Sequence, residues 1–347
     1  GSWMSGESLR NSLVNKLIKV GESVMSRNNL FNYATKELSQ DAFICWLLAF
    51  AMTDHEHEDL ALAACAREIL AHFTGDTSPL VVTKIDRQEK NIDVLVEVNA
   101  KYHIIIEDKT YTGQHRDQIA KYKQDLINAG KSNIITVYNK IVEQDHLENA
   151  DINFTRKDML AIFDKYVGAT ENDIFIDYHE RLKDIDIEVE SYKYIPIGQF
   201  GGLTYGGFFK HLKEENIINE KKLTGWGYVP NKSGGFFGHW WHYLSEQELT
   251  NCNVLDYGIS ELYLQIENNK IAVKIQNPDK KNVSSVKRAL YNHISSKEGD
   301  FKGMRYYPGR FITIGLLAYD EKNYKDKIRT MEKILDDIGS GQFKYQP

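Results

Sequence analysis

Cysteine is scarce: three residues in 347, Cys45, Cys65 and Cys252, lie far apart with no CxxC pair. This excludes a disulfide-stapled scaffold, offers no Cys/His cluster at zinc spacing, and fits a reducing cytoplasm. Long apolar runs are also missing. The most apolar N-terminal stretch, residues 42–52, is shorter than the ~18–20 residues of a membrane span and lies too far into the chain for a signal peptide, so no membrane partner is expected. Nor is there an excess of basic charge. With 43 Lys+Arg against 49 Asp+Glu the net charge is −6, which argues against a protein that coats nucleic acid non-specifically but leaves room for a local basic groove. What is present is ordinary: 42% hydrophobic and 27% charged residues exclude wholesale disorder. A chain of 347 residues, at ~100–200 per domain, predicts two domains.

Gly1-Ser2-Trp3 ahead of Met4 reads as an expression remnant outside the fold. Apolar residues at helical spacing predict helices over 8–24, over 42–51 (preceded by Glu37, Ser39 and Asp41) and over 59–73, the last stopped by Gly75. The texture then changes. Short β-branched runs at 80–85, 91–98 and 102–107, separated by polar turns, predict a three-strand meander. A helix over 114–129 and a strand over 133–138 follow, and 155–187 reads as charged helix with a polar break near 168–172. The order predicts an α/β domain over 4–190, a mixed central sheet flanked by helices. Near Tyr192 glycine and aromatics become dense, then come a hairpin through Asn268-Asn269 and helices over 283–295 and 324–338 flanking a strand at 311–318. This predicts a C-terminal α+β domain over 191–347, with a substrate-binding or interaction role.

The chemistry concentrates in Asn91-Ile92-Asp93 and, after a turn, Ile104-Ile105-Ile106-Glu107-Asp108-Lys109. Alternate residues of a strand share a face, so Glu107 and Lys109 point one way and Asp108 the other. If the two strands pair as a hairpin, Asp93 lies beside Glu107. Two carboxylates and an ammonium then converge where hard divalent cations find oxygen ligands, and the lysine can position water and offset charge on a phosphate. Phosphodiester hydrolysis needs those parts. A Glu-x-Lys triplet is by itself more often a solvated charge pair. Here it ends a run of three isoleucines that reads as a buried central strand, a poor place to leave charges unused. Asp86 and Glu97 are rival carboxylates, but neither is followed two residues on by lysine.

The pattern resembles the PD-(D/E)XK nuclease superfamily, with its acid, hairpin and Asp/Glu-x-Lys at a strand end; Asn91-Ile92 stands where that family often has a proline. The resemblance covers about residues 30–140. It implies a restriction-endonuclease-like fold and a Mg²⁺-dependent nuclease for which Mn²⁺ substitutes, acting on DNA more than RNA in restriction, repair or defence against mobile DNA. It further implies a metal-binding glutamate on the preceding helix, the place of Glu37, and a ligand role for the backbone carbonyl of Asp108. Gln118-Ile119-Ala120-Lys121-Tyr122 matches the Gln-x₃-Tyr element of RecB-type relatives, so Gln118 and Tyr122 are expected to support the site. Asp93, Glu107, Lys109, Gln118 and Tyr122 are thus the candidate catalytic residues, and Glu37, Asp93, Glu107 and Asp108 the candidate metal ligands. The alternative is an inactive nucleic-acid-binding or interaction protein on the same fold; an RNA-directed enzyme is a third reading. Oligomeric state is not legible.

Other features have bland readings. His55, Glu56, His57, Glu58 and Asp59 read as a solvated loop with no third metal ligand in sight. The aromatics at 226–243 are read first as the core of a small sheet, and second as a surface on which Trp226, Trp240 and Trp241 stack bases. Lys280-Lys281 and Lys287-Arg288 read first as a solvated face and second as phosphate contacts. The glycine pairs at 201–202 and 206–207 lack the Gly-Lys-Ser/Thr of a phosphate-binding loop.

Overall fold

The computed structural model describes residues 27–89, 92–109, 118–146, 149–220, 222–231 and 234–347; the helix expected over 8–24 lies outside them. The chain divides into two compact units, Gly1–Glu188 and Val189–Pro347.

In the first unit, helix α1 (Glu37–Ala49) buries Phe43, Ile44, Leu47 and Leu48. Helix α2 (Leu60–Thr74) starts where the Asp59 carboxylate accepts the Leu62 N–H at 3.0 Å, and stops where Gly75 turns left-handed at φ 67°. The antiparallel meander follows as β1 (Val82–Glu89), β2 (Ile92–Val98) and β3 (Tyr102–Asp108). Strand β2 alternates buried and half-buried residues, so one face meets the core, whereas β3 is buried along nearly its whole length. Each isoleucine of 104–106, fully buried, contributes ~1.5–3 kcal/mol of apolar burial. Helix α3 (Gln118–Asn128) leads to β4 (Ile134–Lys140), parallel to β3, and β5 (Ile152–Thr155) pairs parallel with β4. The result is a five-stranded mixed sheet in the order β1-β2-β3-β4-β5.

The two faces of β3 meet different helices. Ile105 packs with Tyr122 and Leu126 of α3, whereas Ile106 shares an apolar cavity with Phe43 and Leu47 of α1 and Phe73 of α2. A Thr155–Asp158 capping box opens α4 (Arg156–Phe163), and α5 (Asp173–Glu190) follows the polar break. The expected α/β architecture, a mixed sheet flanked by helices, is the one observed.

The second unit holds helices α6 (Gly202–Glu214), α7 (Glu246–Asn251), α8 (Ser284–Lys297) and α9 (Tyr324–Gly339). Its strands are β6 (Gly225–Val229), β7 (Phe236–Trp241), β8 (Glu261–Glu267), β9 (Lys270–Gln276), β10 (Lys302–Gly303) and β11 (Phe311–Ala318). They form one antiparallel sheet in the order β10-β11-β9-β8-β7-β6. One side chain in two along β8 and β9 (Leu262, Leu264, Ile266; Ile271, Val273, Ile275) joins Leu290 of α8 and Leu335 of α9 in a single core. Trp241 is fully enclosed and its indole N–H donates to Glu332 Oε1 at 2.9 Å. It therefore takes the core reading and offers no face to a base; Trp226 and Trp240 are half-buried. No described helix is long and apolar enough to cross a membrane.

Candidate active site

The register of the meander sets the geometry. Val94 pairs with Ile106, so continuing the antiparallel ladder by one step puts Asp93 opposite Glu107 on one face, at the end of the sheet where both strands stop. The Asp108 N–H donates to Asp93 Oδ2 at 3.3 Å, tying the two strand ends together. Just past β3, the Lys109 N–H donates to the Asn139 carbonyl at 3.1 Å, which extends the parallel pairing to β4 and fixes where the lysine leaves the sheet.

Three carboxylates surround the Lys109 ammonium. Its Nζ lies 3.2 Å from Glu107 Oε1, 3.7 Å from Asp93 Oδ2 and 3.8 Å from Glu37 Oε2, the last reaching in from the first turn of α1. Glu107 is fully enclosed, and the Lys109 ammonium is the close positive charge beside it. Burial first, and then the nearby Asp93 charge, push the Glu107 carboxyl up to about 7 against the pull of Lys109. For Lys109, burial works to lower the amine, but Glu107, Asp93 and Glu37 outweigh it and hold it above the ordinary lysine range. The amine is therefore an ammonium at neutral pH. Among the described residues no three His, Cys, Asp or Glu side chains form a ready metal cage; the acids here are spaced around the ammonium instead.

Helix α3 borders the same face. The Gln118 amide donates to the Tyr122 hydroxyl across one helical turn, and Tyr122 is buried against β3. Burial raises the Tyr122 hydroxyl; Gln118 opposes the shift, while Glu107 and Asp93 add to it, which places the ring within the field of both acids. The Asp108 side chain points the other way and is fully buried, accepting from Asn139 Nδ2 at 3.2 Å. It also shares a hydrogen bond with Asp41. Burial, and then its neighbour's charge, raises each carboxyl: Asp41 to about 6 by burial and Asp93, Asp108 well above the usual range by burial and Asp41.

The structure thus brings Glu37, Asp93, Glu107 and Lys109 together, sets Gln118 and Tyr122 beside them, and turns the Asp108 side chain away. Two further residues belong to this neighbourhood. Asp41 sits one helical turn after Glu37, an i,i+4 acid pair readable in the sequence. Asn139 comes from the parallel neighbour strand, and no local pattern marks it. The rivals sit elsewhere: Asp86 pairs with Lys84 at 2.7 Å, and Glu97 takes the Thr83 hydroxyl at 2.8 Å with His103 at 3.4 Å. In the histidine-rich turn, His55 pairs with Glu58 at 2.7 Å, Glu56 pairs with Arg67, and His57 is exposed, as a solvated loop should be.

A family model described as the PD-(D/E)XK nuclease superfamily matches residues 21–193, the span that carries all of these residues. No curated protein and no solved structure matches the chain.

Proposed function

Because residues 21–193 belong to the PD-(D/E)XK nuclease superfamily, we propose that this chain is a metal-dependent nuclease that hydrolyses phosphodiester bonds, in DNA rather than RNA. The observation that carries the proposal is the convergence of Asp93, Glu107 and Glu37 on Lys109 at the end of β3. Their donor set is all hard oxygen and already gathers around one cation, the Lys109 ammonium, so these residues suit Mg²⁺, with Mn²⁺ as a substitute. Asp93, Glu107 and Glu37 would hold the ion together with the main-chain carbonyl of Asp108. A bound divalent cation supplies Lewis acidity and makes water a nucleophile near neutral pH.

The chain's own groups then have separable tasks. Lys109, kept protonated by its acids, donates hydrogen bonds to the attacking water and to the phosphoryl oxygen where charge grows, instead of taking a proton. Gln118 and Tyr122 wall the face on which Glu107 lies and hold its surroundings dry, which strengthens each electrostatic contact there. The Asp41–Asp108 pair and the Asn139 amide join α1, β3 and β4 behind the site and so support the placement of Glu37 and Lys109 on those elements.

The test is digestion of plasmid, linear duplex, single-stranded DNA and matched RNA by the purified chain with Mg²⁺, with Mn²⁺ and with chelator. Ion-dependent cleavage of DNA is the expected result. No cleavage of any substrate with either ion would overturn it, and binding without cleavage would move the chain to the class of inactive nucleic-acid binders.

A further inference from the structure

The second unit carries a charge pattern unlike the rest of the chain. Residues 277–311 hold eight Lys or Arg against three Asp or Glu, a local net of +5 in a chain of −6. Two of the three acids, Glu298 and Asp300, are already engaged by Lys327 at 3.4 and 3.8 Å. The segment between β10 and β11, residues 304–310, is held at three points. Lys287, whose amine is buried and donates to the Met304 carbonyl, takes neither of the readings its sequence offers. The Val283 N–H donates to the Tyr306 hydroxyl at 3.2 Å, and the Asn277 N–H donates to the Arg310 carbonyl at 2.7 Å.

These ties press the segment against the loop that carries Lys280 and Lys281, both exposed. They also leave two rings standing outward: Tyr307 is 63% exposed and Phe311 54%. Each ring has a guanidinium over it, Arg305 over Tyr307 and Arg310 over Phe311, both at 5.6 Å. Arg310 also lies near Glu261, and Lys281 pairs at 3.5 Å with Asp279 on the open surface, so the patch keeps two acids at its margin.

We propose that this surface, formed by Lys280, Lys281, Arg305, Tyr307, Arg310 and Phe311, binds single-stranded nucleic acid. Exposed aromatic rings cost solvation unless something stacks on them, and unpaired bases present the flat faces they need. The cations beside each ring meet the phosphates that flank a stacked base. A duplex keeps its bases stacked inside, so it has nothing to offer the rings. Because the segment is already anchored, little ordering cost offsets the contact. The choice of polymer rests on the nuclease reading; the surface itself stands on the charge and aromatic pattern of the second unit.

The experiment uses the full chain in chelator, so that no substrate is cut, and follows fluorescence anisotropy of labelled oligothymidylate and of a labelled duplex. Tyr307→Ala/Phe311→Ala should weaken the single strand by about tenfold or more and leave the duplex unchanged. Lys280→Glu/Lys281→Glu should flatten the salt dependence of binding, because fewer counterions are released. All four side chains are exposed, and a thermal melt of each variant checks the fold; should the ring variant melt early, the lysine variant carries the test. Unchanged affinity and salt slope in folded variants would overturn the proposal. So would tighter binding of duplex than of single strand, or polyglutamate competing as well as the oligonucleotide. If the chain binds through these rings but cuts nothing, the nuclease reading fails alone; if it cuts but ignores both substitutions, only this surface fails.

Discussion

Replacing Lys109 with alanine separates the role of the ammonium from that of the carboxylates. At 3.2, 3.7 and 3.8 Å from three acids, each pair amounts to about 4–5 kcal/mol of Coulomb attraction at an effective dielectric of ~20, before solvent screening of the half-exposed Glu37 and Asp93. The amine therefore competes with any other cation for the same oxygens, and Lys109→Ala should bind Mn²⁺ at least as tightly as the natural chain. Turnover should still fall by about 10²–10³, the effect of deleting one preorganised donor to a developing oxyanion. Without a divalent ion the variant should be less stable, because fully buried Glu107 loses its partner, a loss on the order of 3–5 kcal/mol when the acid is charged. The sign with pH follows from the raised Glu107 carboxyl: the folded state holds its proton up to about 7, so stability is lost as pH rises through that value. The destabilisation should thus be greatest above pH 7, shrink below it, and be reversed by Mn²⁺. Electron paramagnetic resonance of bound Mn²⁺, single-turnover cleavage and thermal melts measure the three quantities. Natural-chain cleavage by Lys109→Ala, or loss of its Mn²⁺ binding, would rule out this role for the ammonium.

Two further outcomes concern the second unit. Trp241→Ala should cost roughly 3–5 kcal/mol in urea unfolding, since it empties a fully enclosed indole site, yet leave oligonucleotide affinity of the folded protein unchanged; a loss of affinity at full folding would return the stacking reading to that residue. Burial, with Lys213 adding, lowers the His239 ring to about 3, so the unfolded chain takes up a proton first as pH falls below 6.5, and stability declines by up to about 1.4 kcal/mol per pH unit between those values. His239→Phe should flatten that acid limb in melts of the second unit, and an unchanged limb would show that another group sets it.

What the sequence reveals about this protein depends on how local the determining interactions are. The Val94-Val96-Val98 alternation and the run of three isoleucines mark the two strands by themselves, and the short polar turn between them suggests the hairpin whose observed register sets Asp93 opposite Glu107. The i,i+4 spacing of Gln118 and Tyr122 likewise anticipates their hydrogen bond. Asp41 is less visible because its carboxyl is buried by a partner, Asp108, that lies 67 residues away. Asn139 and the four-residue strand β5 depend on parallel pairing, which leaves no local trace. Glycine density at 202–207 carries no helical signal, yet these residues lie in α6, where a β-carbon on Gly207 would collide with the Val189 carbonyl. The anchored segment 304–310 is legible only once Lys287, Val283 and Asn277 are seen holding it.

On the proposed function, Asp93, Glu107 and Lys109 form one cation-dependent hydrolytic centre. Its most direct test is single-turnover cleavage of DNA by the natural chain and by Glu107→Gln, started by adding Mg²⁺, with Mn²⁺ binding read in the same samples. The substitution keeps the shape of a fully buried side chain and removes its charge. The natural chain should bind the ion and cut, whereas Glu107→Gln should fold but do neither. Cleavage by Glu107→Gln at the natural rate would contradict this.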